Sequence, residues 1–336
     1  MYKDKLLDMF HTLPPMPTHP TALVCPACRG ADVVPFESIG IEPLARAWVE
    51  DWPSAPRPSV REMVSRIESD LSTTLVRIMQ CRSCKLEFSD PMKTWTSSNY
   101  PSQSHGLGFD QLTALQMLRS IPPCRILEIG CGCGEFLAAA NAMGHSSTGV
   151  DFSKSSVEKA RLLGVDARLM DLKELADTDA YHGSCDVIAM FQVIEHLEQP
   201  DALFHNLGKL ATRSAKLFIG CPGPNRFTRQ VSHSQRMGMS DFWDFPPQHP
   251  LRWNATAMTA FLIRSGWQVT SVQDEPFSTV AAAAQLVAID MARWSGKQSA
   301  AKRRLATLVR RMELFAKSKL ARFSGIRMFV SAVRAE

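Results

Sequence analysis

Residues 126–136 read ILEIGCGCGEF, and this stretch decides the fold of the 336-residue chain. An apolar strand is followed by three glycines at alternating positions, Gly130, Gly132 and Gly134, and then by the start of a helix. Glycine lets the backbone turn tightly and lets a ligand approach it closely. The spacing G-x-G-x-G differs from the dinucleotide pattern G-x-G-x-x-G. The stretch therefore predicts a loop that binds a nucleoside lacking a pyrophosphate.

The segments after this loop alternate between predicted strands and helices. The patterns predict strands at 125–129, 147–151, 166–170, 185–191 and 215–220, and helices at 135–143, 154–163 and 200–210. Such alternation indicates a parallel sheet covered by helices on both faces. Two further strands are predicted at 267–272 and 326–333, with a long helical stretch at 280–322 between them.

Polar and acidic residues follow the second, third and fourth strands of this series. Asp151, with Phe152 after it, has the spacing of a residue that accepts both hydroxyls of a ribose. Asp171, followed by Leu172, could accept from the amino group of an adenine. The fourth strand ends at Phe191-Gln192. Because ligands bind outside the carboxyl ends of such strands, we expect these segments to converge on one site.

These motifs in this order resemble the class I methyltransferases that depend on S-adenosylmethionine (SAM). The glycine motif of that family is similar to residues 128–134, and its two acidic positions correspond to Asp151 and Asp171. A V-[IL]-E-H segment found in quinone-precursor and sugar O-methyltransferases resembles residues 193–196. The resemblance covers roughly residues 105–275 and resumes at the last strand. It implies the following cofactor-binding residues: Glu128, Gly130, Gly132, Gly134, Asp151, Phe152, Asp171, Leu172, Phe191 and Gln192.

The same resemblance implies the fold and the division of the chain. The fold expected is an α/β, Rossmann-like, seven-stranded mixed sheet of order 3-2-1-4-5-7-6 with the last strand antiparallel. Residues 1–100 would form an N-terminal module, and residues 101–336 the methyltransferase domain. The helical stretch 280–322 would then be an insertion before the last strand.

Two C-x-x-C pairs, Cys25 with Cys28 and Cys81 with Cys84, lie in the N-terminal module. Four thiolates can hold a structural zinc ion in a closed tetrahedral site. The long interval between the pairs weakens this inference, and reduced cysteines without metal are the alternative. The segment resembles the zinc-ribbon module that precedes the methyltransferase domain in several bacterial small-molecule methyltransferases. Such a site would hold the module together and take no part in the chemistry.

Two histidines are candidates for the base that removes a proton from the methyl acceptor. His196 follows the fourth strand, and Glu195 could orient it or bind an acceptor hydroxyl. The alternative is that Glu195 and His196 only fix the loop. The segment 245–253 resembles the P-P-x-H segment of the same branch, which implies that His249 borders the acceptor pocket.

The sequence predicts O-methylation of a small hydroxylated acceptor, such as a sugar unit or a secondary metabolite. The [DNS]-P-P-[YFW] turn of DNA and glutamine N-methyltransferases does not follow the fourth strand, where the chain reads FQVI at 191–194. Two alternatives stay open. One is a methyltransferase for an RNA or protein acceptor, and the other is a non-catalytic SAM-binding subunit.

The C-terminal region is strongly basic. Residues 291–336 contain twelve Lys or Arg and two Glu, whereas the whole chain carries a net charge of only +5. From Leu305 onward, apolar residues at helical spacing predict an amphipathic basic helix. This helix could pack on the protein or form a homodimer, lie on anionic lipid, or bind a phosphorylated substrate. Nucleic acid is the least favoured partner, because aromatic residues are not interleaved with the basic ones.

The composition indicates a protein of the reducing cytoplasm. The sequence contains no apolar run of the roughly 18–20 residues needed to cross a membrane. The first ten residues lack the apolar run of a signal peptide, and nine cysteines in so long a chain do not resemble a disulfide framework. We therefore expect a cytoplasmic location, with attachment to the membrane periphery as an open alternative.

Overall fold

The computed structural model describes residues 23–50, 58–95, 106–178, 181–231, 242–293, 300–318 and 323–335. The strands are Val33–Gly40 (β1), Leu75–Cys81 (β2), Glu87–Asp90 (β3), Arg125–Ile129 (β4), Ser146–Asp151 (β5), Asp166–Leu169 (β6), Cys185–Phe191 (β7), Ala211–Pro222 (β8), Leu251–Arg252 (β9), Trp267–Asp274 (β10) and Arg327–Arg334 (β11). The helices are Ile41–Glu50 (α1), Val60–Leu71 (α2), Phe109–Leu118 (α3), Glu135–Ala142 (α4), Lys154–Leu162 (α5), Leu172–Ala176 (α6), Pro200–Leu210 (α7), Phe227–Val231 (α8), Ala255–Arg264 (α9), Thr279–Arg293 (α10) and Ala300–Ser318 (α11). Single 3₁₀ turns lie at Ile194–His196 and Phe242–Asp244.

Seven strands form one mixed sheet in the order β10-β11-β8-β7-β4-β5-β6. The five strands from β8 to β6 run parallel, and β11 is antiparallel to both β8 and β10. A seven-stranded mixed sheet with an antiparallel last strand is thus confirmed. Numbered along the chain within this sheet, the strands stand in the expected order 3-2-1-4-5-7-6.

The centre of the sheet is β7, whose residues 187–190 are at most 1% exposed. Its continuous apolar run, CDVIAMF, is typical of a parallel strand covered on both faces. One apolar cluster lies on each face of the sheet, with Leu207 and Phe261 on one side and Phe136 and Leu118 on the other. The centre of the sheet is therefore buried on both faces, whereas the edge strands β6 and β10 are partly exposed.

The second sheet joins the N-terminal segment to the region after β8. Its order is β1-β2-β3-β9, and β3 pairs with β9 through Glu87 opposite Arg252 and Phe88 opposite Leu251. The predicted division at residue 100 separates two chain segments, and this sheet takes strands from both. The short segment before β9 is therefore held by main-chain pairing to the N-terminal module.

Arg264 at the end of α9 connects the first cysteine pair to the helices next to the seven-stranded sheet by hydrogen bonds. Its guanidinium donates to the carbonyls of Ala27 at 3.0 Å and Pro26 at 2.9 Å, and to Asp201 at 2.6 Å. Asp201 also pairs with Arg29. These contacts cross-link the segment around Cys25 to α7 and α9.

The predicted helical stretch 280–322 consists of two helices, α10 and α11, in the described part of the chain. Leu286 of α10 and Leu314 of α11 are buried in one small cluster with Phe227 of α8. None of the helices in the described ranges combines the length and the apolar character needed to traverse a bilayer.

Candidate active site

The glycine loop lies between the end of β4 and the start of α4. All three glycines have positive φ, at +69° for Gly130, +51° for Gly132 and +86° for Gly134. A Cβ at Gly130 would lie 2.6 Å from Val193, and one at Gly134 would lie 2.8 Å from Ala160. At Gly132 a Cβ would meet no atom within 4 Å. The outer glycines are therefore required by packing, whereas the middle one faces open space that a ligand can enter.

Asp151 at the end of β5 holds this loop. Its Oδ2 accepts from the amide of Gly132 at 2.9 Å, and its Oδ1 accepts from the amide of Ser153 at 2.7 Å. An ionised carboxylate has about four acceptor positions, so two bonds leave capacity for ligand hydroxyls. Phe152, the next residue, is 54% exposed beside it.

Acidic groups converge behind the loop. Glu128 on β4 is buried, and its Oε2 has no hydrogen-bond partner among the described residues. Burial raises the pKa of Glu128 well above its usual value, and the nearby charges of Glu135, Asp151 and Asp110 raise it further. The loop is therefore backed by a buried carboxyl group that holds its proton more tightly than usual.

Among the other residues predicted to bind the cofactor, Asp171 caps a helix and Phe191 packs in the core. Asp171 caps α6, because its Oδ1 accepts from the amide of Glu174 at 2.8 Å. The ring of Phe191 is buried and lies 4.9 Å from the ring of Phe136, so this side chain belongs to the core. The side chain of Leu172 lies outside the described residues.

Gln192 lies at the end of β7 with a positive φ of 57°. Its Nε2 donates to Oδ2 of Asp110 at 3.0 Å. Asp110 in the first turn of α3 is buried, and its carboxylate fills the space above Gly220, where a Cβ would lie 2.2 Å from Oδ2. Sequence reasoning missed Asp110, because an acidic residue at the start of a helix is an ordinary feature.

Glu195, His196 and His249 come together at the same edge of the sheet. Their donor atoms all lie within 4.8 Å of one another, and the two imidazole rings are 4.7 Å apart. Nδ1 of His196 lies 2.6 Å from the carbonyl oxygen of Gln248. Since a carbonyl oxygen only accepts, Nδ1 carries the proton and the lone pair lies on Nε2. Nε2 in turn is 3.9 Å from Oε1 of Glu195.

Burial keeps these groups uncharged near neutral pH. It lowers the pKa of His196 to about 3, with the neighbouring His249 adding to the effect. It raises the pKa of Glu195 to about 8, and neither carboxyl oxygen of Glu195 has a partner among the described residues. The site thus contains a neutral imidazole beside a protonated carboxyl group.

His249 differs from His196 because it faces the buried carboxylate of Asp244. Its Nδ1 is 3.7 Å from Oδ1 of Asp244. Burial lowers the pKa of His249 although Asp244 opposes the change. Burial also acts against the charge of Asp244, but Arg226 and the other groups around it hold the pKa of Asp244 well below its usual range.

A buried network of ion pairs supports this wall of the site. Arg229 pairs with Glu87 at 2.9 Å, and Arg252 reaches both Glu37 and Glu87 at 3.1 Å. Arg226 pairs with Asp244. Sequence reasoning missed these residues, because each pair joins distant parts of the chain and no local motif marks them. These ion pairs connect the surroundings of His249 to the four-stranded sheet β1-β2-β3-β9.

The four cysteines of the two C-x-x-C pairs lie together in the fold. Their Sγ atoms are all within 4.8 Å of one another, with 3.5 Å between Cys25 and Cys84 and between Cys28 and Cys81. Four sulfurs at about 2.3 Å from a tetrahedral zinc would be roughly 3.8 Å apart. The cluster therefore has the size and the donor set of a four-cysteine metal site.

Comparisons with known proteins agree with this geometry. A family model described as "Methyltransferase domain" matches residues 101–272, which is just over half of the chain. The chain is 28% identical over 131 residues to the ubiquinone biosynthesis O-methyltransferase of Nitrosococcus oceani, covering 37% of this chain and 55% of the relative. The corresponding protein of Xanthomonas oryzae pv. oryzae is 26% identical, with 37% and 54% covered.

A solved SAM-dependent methyltransferase from Archaeoglobus fulgidus superimposes with a TM-score of 0.44 and 18% identity, covering 68% of this chain and 95% of that one. The chain belongs to the methyltransferase-domain family. It spans about half the length of the curated relatives that it matches.

The residues around the loop fit SAM. The cofactor carries a sulfonium and an ammonium group, and the acidic side chains of Glu128, Glu135 and Asp151 lie near the loop. The open space at Gly132 allows the ligand to approach the backbone. Asp151 beside that opening has acceptor capacity for ribose hydroxyls.

We expect Asp151→Ala to weaken SAM binding by about 2–3 kcal/mol, or about 30- to 150-fold in Kd. The substitution removes both the proposed ribose acceptor and the bond that holds Gly132. Calorimetric titration with SAM measures the change. Asp166→Ala at the opposite end of the neighbouring strand is the matched control, and equal affinities for the two variants would contradict the assignment.

Glu195→Gln should flatten the dependence of stability on pH. The folded chain keeps the proton of Glu195 up to about pH 8, whereas the unfolded chain releases it near the ordinary pKa of 4.5. The free energy of unfolding therefore falls as pH rises between these values, by at most about 1.4 kcal/mol per pH unit. Denaturant unfolding across this range measures the slope. Glu158→Gln on the surface of α5 should keep the wild-type slope, and a steep slope in both variants would refute the prediction.

Proposed function

We propose that the chain transfers a methyl group from SAM to a hydroxyl oxygen of a small acceptor, with His196 as the general base. The observation that carries the proposal is the state of His196. Its imidazole is neutral, and because its Nδ1–H faces the carbonyl oxygen of Gln248, the lone pair of the ring lies on Nε2. This residue directly follows β7, at the edge of the sheet where the glycine loop lies.

When bound, SAM supplies an electrophilic methyl group and a neutral thioether as the leaving group. The residues of the chain then have to hold the acceptor in line and remove its proton. Nε2 of His196 accepts that proton as the acceptor oxygen forms its bond to the methyl carbon. The protonated carboxyl group of Glu195, whose Oε1 lies 3.9 Å from the same nitrogen, keeps its proton and would help to hold the acceptor hydroxyl in place.

His249 borders the acceptor position. It contacts the ring of His196 on one side and Asp244 on the other, so its orientation is tied to the buried ion-pair network. The neighbouring residues Glu195, Asp244 and Trp253 are at most 2% exposed, so this part of the proposed site is shielded from bulk water. The names of the curated relatives, which are O-methyltransferases of ubiquinone biosynthesis, support a small hydroxylated acceptor.

His196→Asn should lower turnover about 10²-fold while SAM affinity stays unchanged. Asparagine keeps an N–H that can donate to Gln248 but has no basic nitrogen. Formation of S-adenosylhomocysteine is measured with a panel of small phenols, catechols and sugars. His249→Asn is the comparison, because it changes the border of the pocket and leaves the proposed base in place.

If His196→Asn keeps full turnover and His249→Asn loses most of its turnover, His249 and not His196 would be the base. A folded chain that binds SAM but reacts only after addition of an RNA or a protein would contradict the small acceptor.

We further propose that Cys25, Cys28, Cys81 and Cys84 hold a structural zinc ion. The Sγ distances and the tetrahedral preference of zinc for thiolates support this assignment. With four protein ligands the site would be closed, so the ion would stabilise the module without entering the reaction. The contacts of Arg264 with Pro26 and Ala27 connect the site to α9.

Purified protein should contain about one zinc per chain, as expected of a single site with four cysteine ligands. Cys84→Ser should lose the zinc and lower the melting temperature, because folding and metal binding are coupled in such sites. Elemental analysis and thermal unfolding measure the two effects. Cys124→Ser, which changes a cysteine outside the cluster, should keep the metal, and a metal-free wild-type chain of full stability would refute the site.

A further inference from the structure

An apolar stripe lies on the outer side of α11. Leu305, Leu308, Val309 and Met312 recur at the spacing of one helical face. They are 63%, 51%, 50% and 57% exposed, so water covers about half or more of each side chain. Solvation of four neighbouring apolar side chains on one face is unfavourable and marks an interaction surface.

Among the described residues, the packing of α11 uses the side of the helix opposite to this stripe. The inner side of α11 packs through Leu314, which is fully buried, onto Leu286 of α10 and Phe227 of α8. Leu314 lies on the opposite side of the helix from Leu305 and Met312, as expected from 3.6 residues per turn. The helix thus packs on the chain through Leu314, while the four residues of the stripe stay exposed among the described residues.

Basic residues border the stripe. Arg304 and Arg311 are exposed and seven residues apart, so they follow one edge of the apolar face. Lys302 is exposed near the other edge. Residues 291–336 together carry twelve basic and two acidic residues, whereas the rest of the chain is net acidic.

We propose that this face of α11 lies on an anionic lipid surface, with the apolar stripe among the acyl chains and the arginines at the headgroups. An exposed apolar face bordered by Arg and Lys is the pattern of helices that lie in the plane of a membrane interface. A second copy of the same face would bring arginine against arginine, whereas anionic headgroups complement them. Nucleic acid would satisfy the arginines but would leave the aliphatic side chains in water.

Vesicle sedimentation of the full chain tests the proposal. The wild-type protein should bind vesicles in which roughly one third of the phosphatidylcholine is replaced by phosphatidylglycerol, and added salt should weaken the binding. The double variant Leu308→Asp, Met312→Asp should partition about tenfold less, because two charges would enter the apolar layer. Arg304→Glu with Arg311→Glu should reduce binding to anionic vesicles to the level of neutral ones.

The matched control is Leu162→Asp with Ile263→Asp. These two apolar residues are 86% and 63% exposed on α5 and α9, away from α11. The control should bind vesicles like the wild type, and all variants should keep their SAM affinity if they are folded. Equal loss of binding in the control and the α11 variant would overturn the proposal.

Two other outcomes would also overturn it. Equal binding of the wild type to neutral and anionic vesicles would remove the role of the arginines. A dimer in solution that the α11 double variant dissociates, together with no vesicle binding, would assign the stripe to a second copy of the chain. The assay measures neither methyl transfer nor zinc content, so its failure leaves the proposed function untouched.

Discussion

The parallel pairing of β4 with β5 and β7 is the constraint on which the candidate site depends. Parallel strands in register place their carboxyl ends at one edge, and the backbone groups beyond that edge are left for loops and ligands. Gly130, Asp151 and Gln192 follow three of these strands and meet there for that reason. The positions of these residues are thus consequences of sheet geometry more than of contacts among themselves.

The second theme of the structure is buried carboxyl groups that find no hydrogen-bond partner among the described residues. Glu128 and Glu195 are both about 1% exposed, and both have carboxyl oxygens without partners among the described residues. Leaving a buried polar group unsatisfied costs roughly 1–3 kcal/mol. The ion pairs of Arg226, Arg229 and Arg252 lie nearby, yet they are directed to Asp244, Glu87 and Glu37. Such a distribution is typical of a site prepared for a ligand, where local stability is exchanged for binding.

Most of the larger sheet could be predicted from the sequence, because its signals are local. The glycine spacing, the apolar run of β7 and the alternation of strands with helices all report on residues adjacent in the chain. The closeness of the four cysteines followed from their paired spacing, and the resemblance to a family placed His196 and His249 near the same pocket. Within residues 23–95, the strand β1 and its pairing with β2 were not predicted, because no periodic apolar pattern marks them.

The features that sequence reasoning missed are non-local. The pair Arg252–Glu37 joins residues more than two hundred positions apart, and neither residue stands in a motif. Asp110 fills the space above Gly220 only because α3 crosses the ends of β8 and β11. The stripe on α11 has the periodicity of a packed face, and periodicity alone does not tell which face of a helix meets the core. In each case the missing information is which segments become neighbours after folding.

The two-residue strand β9 has a consequence for the order in which the protein is built. Leu251 and Arg252 pair with β3, which lies within the first ninety residues of the chain. During translation β3 is synthesised long before His249, which lies two residues ahead of β9. The segment that carries His249 therefore pairs with an edge that was synthesised earlier, and its position depends on the sheet formed by β1, β2 and β3.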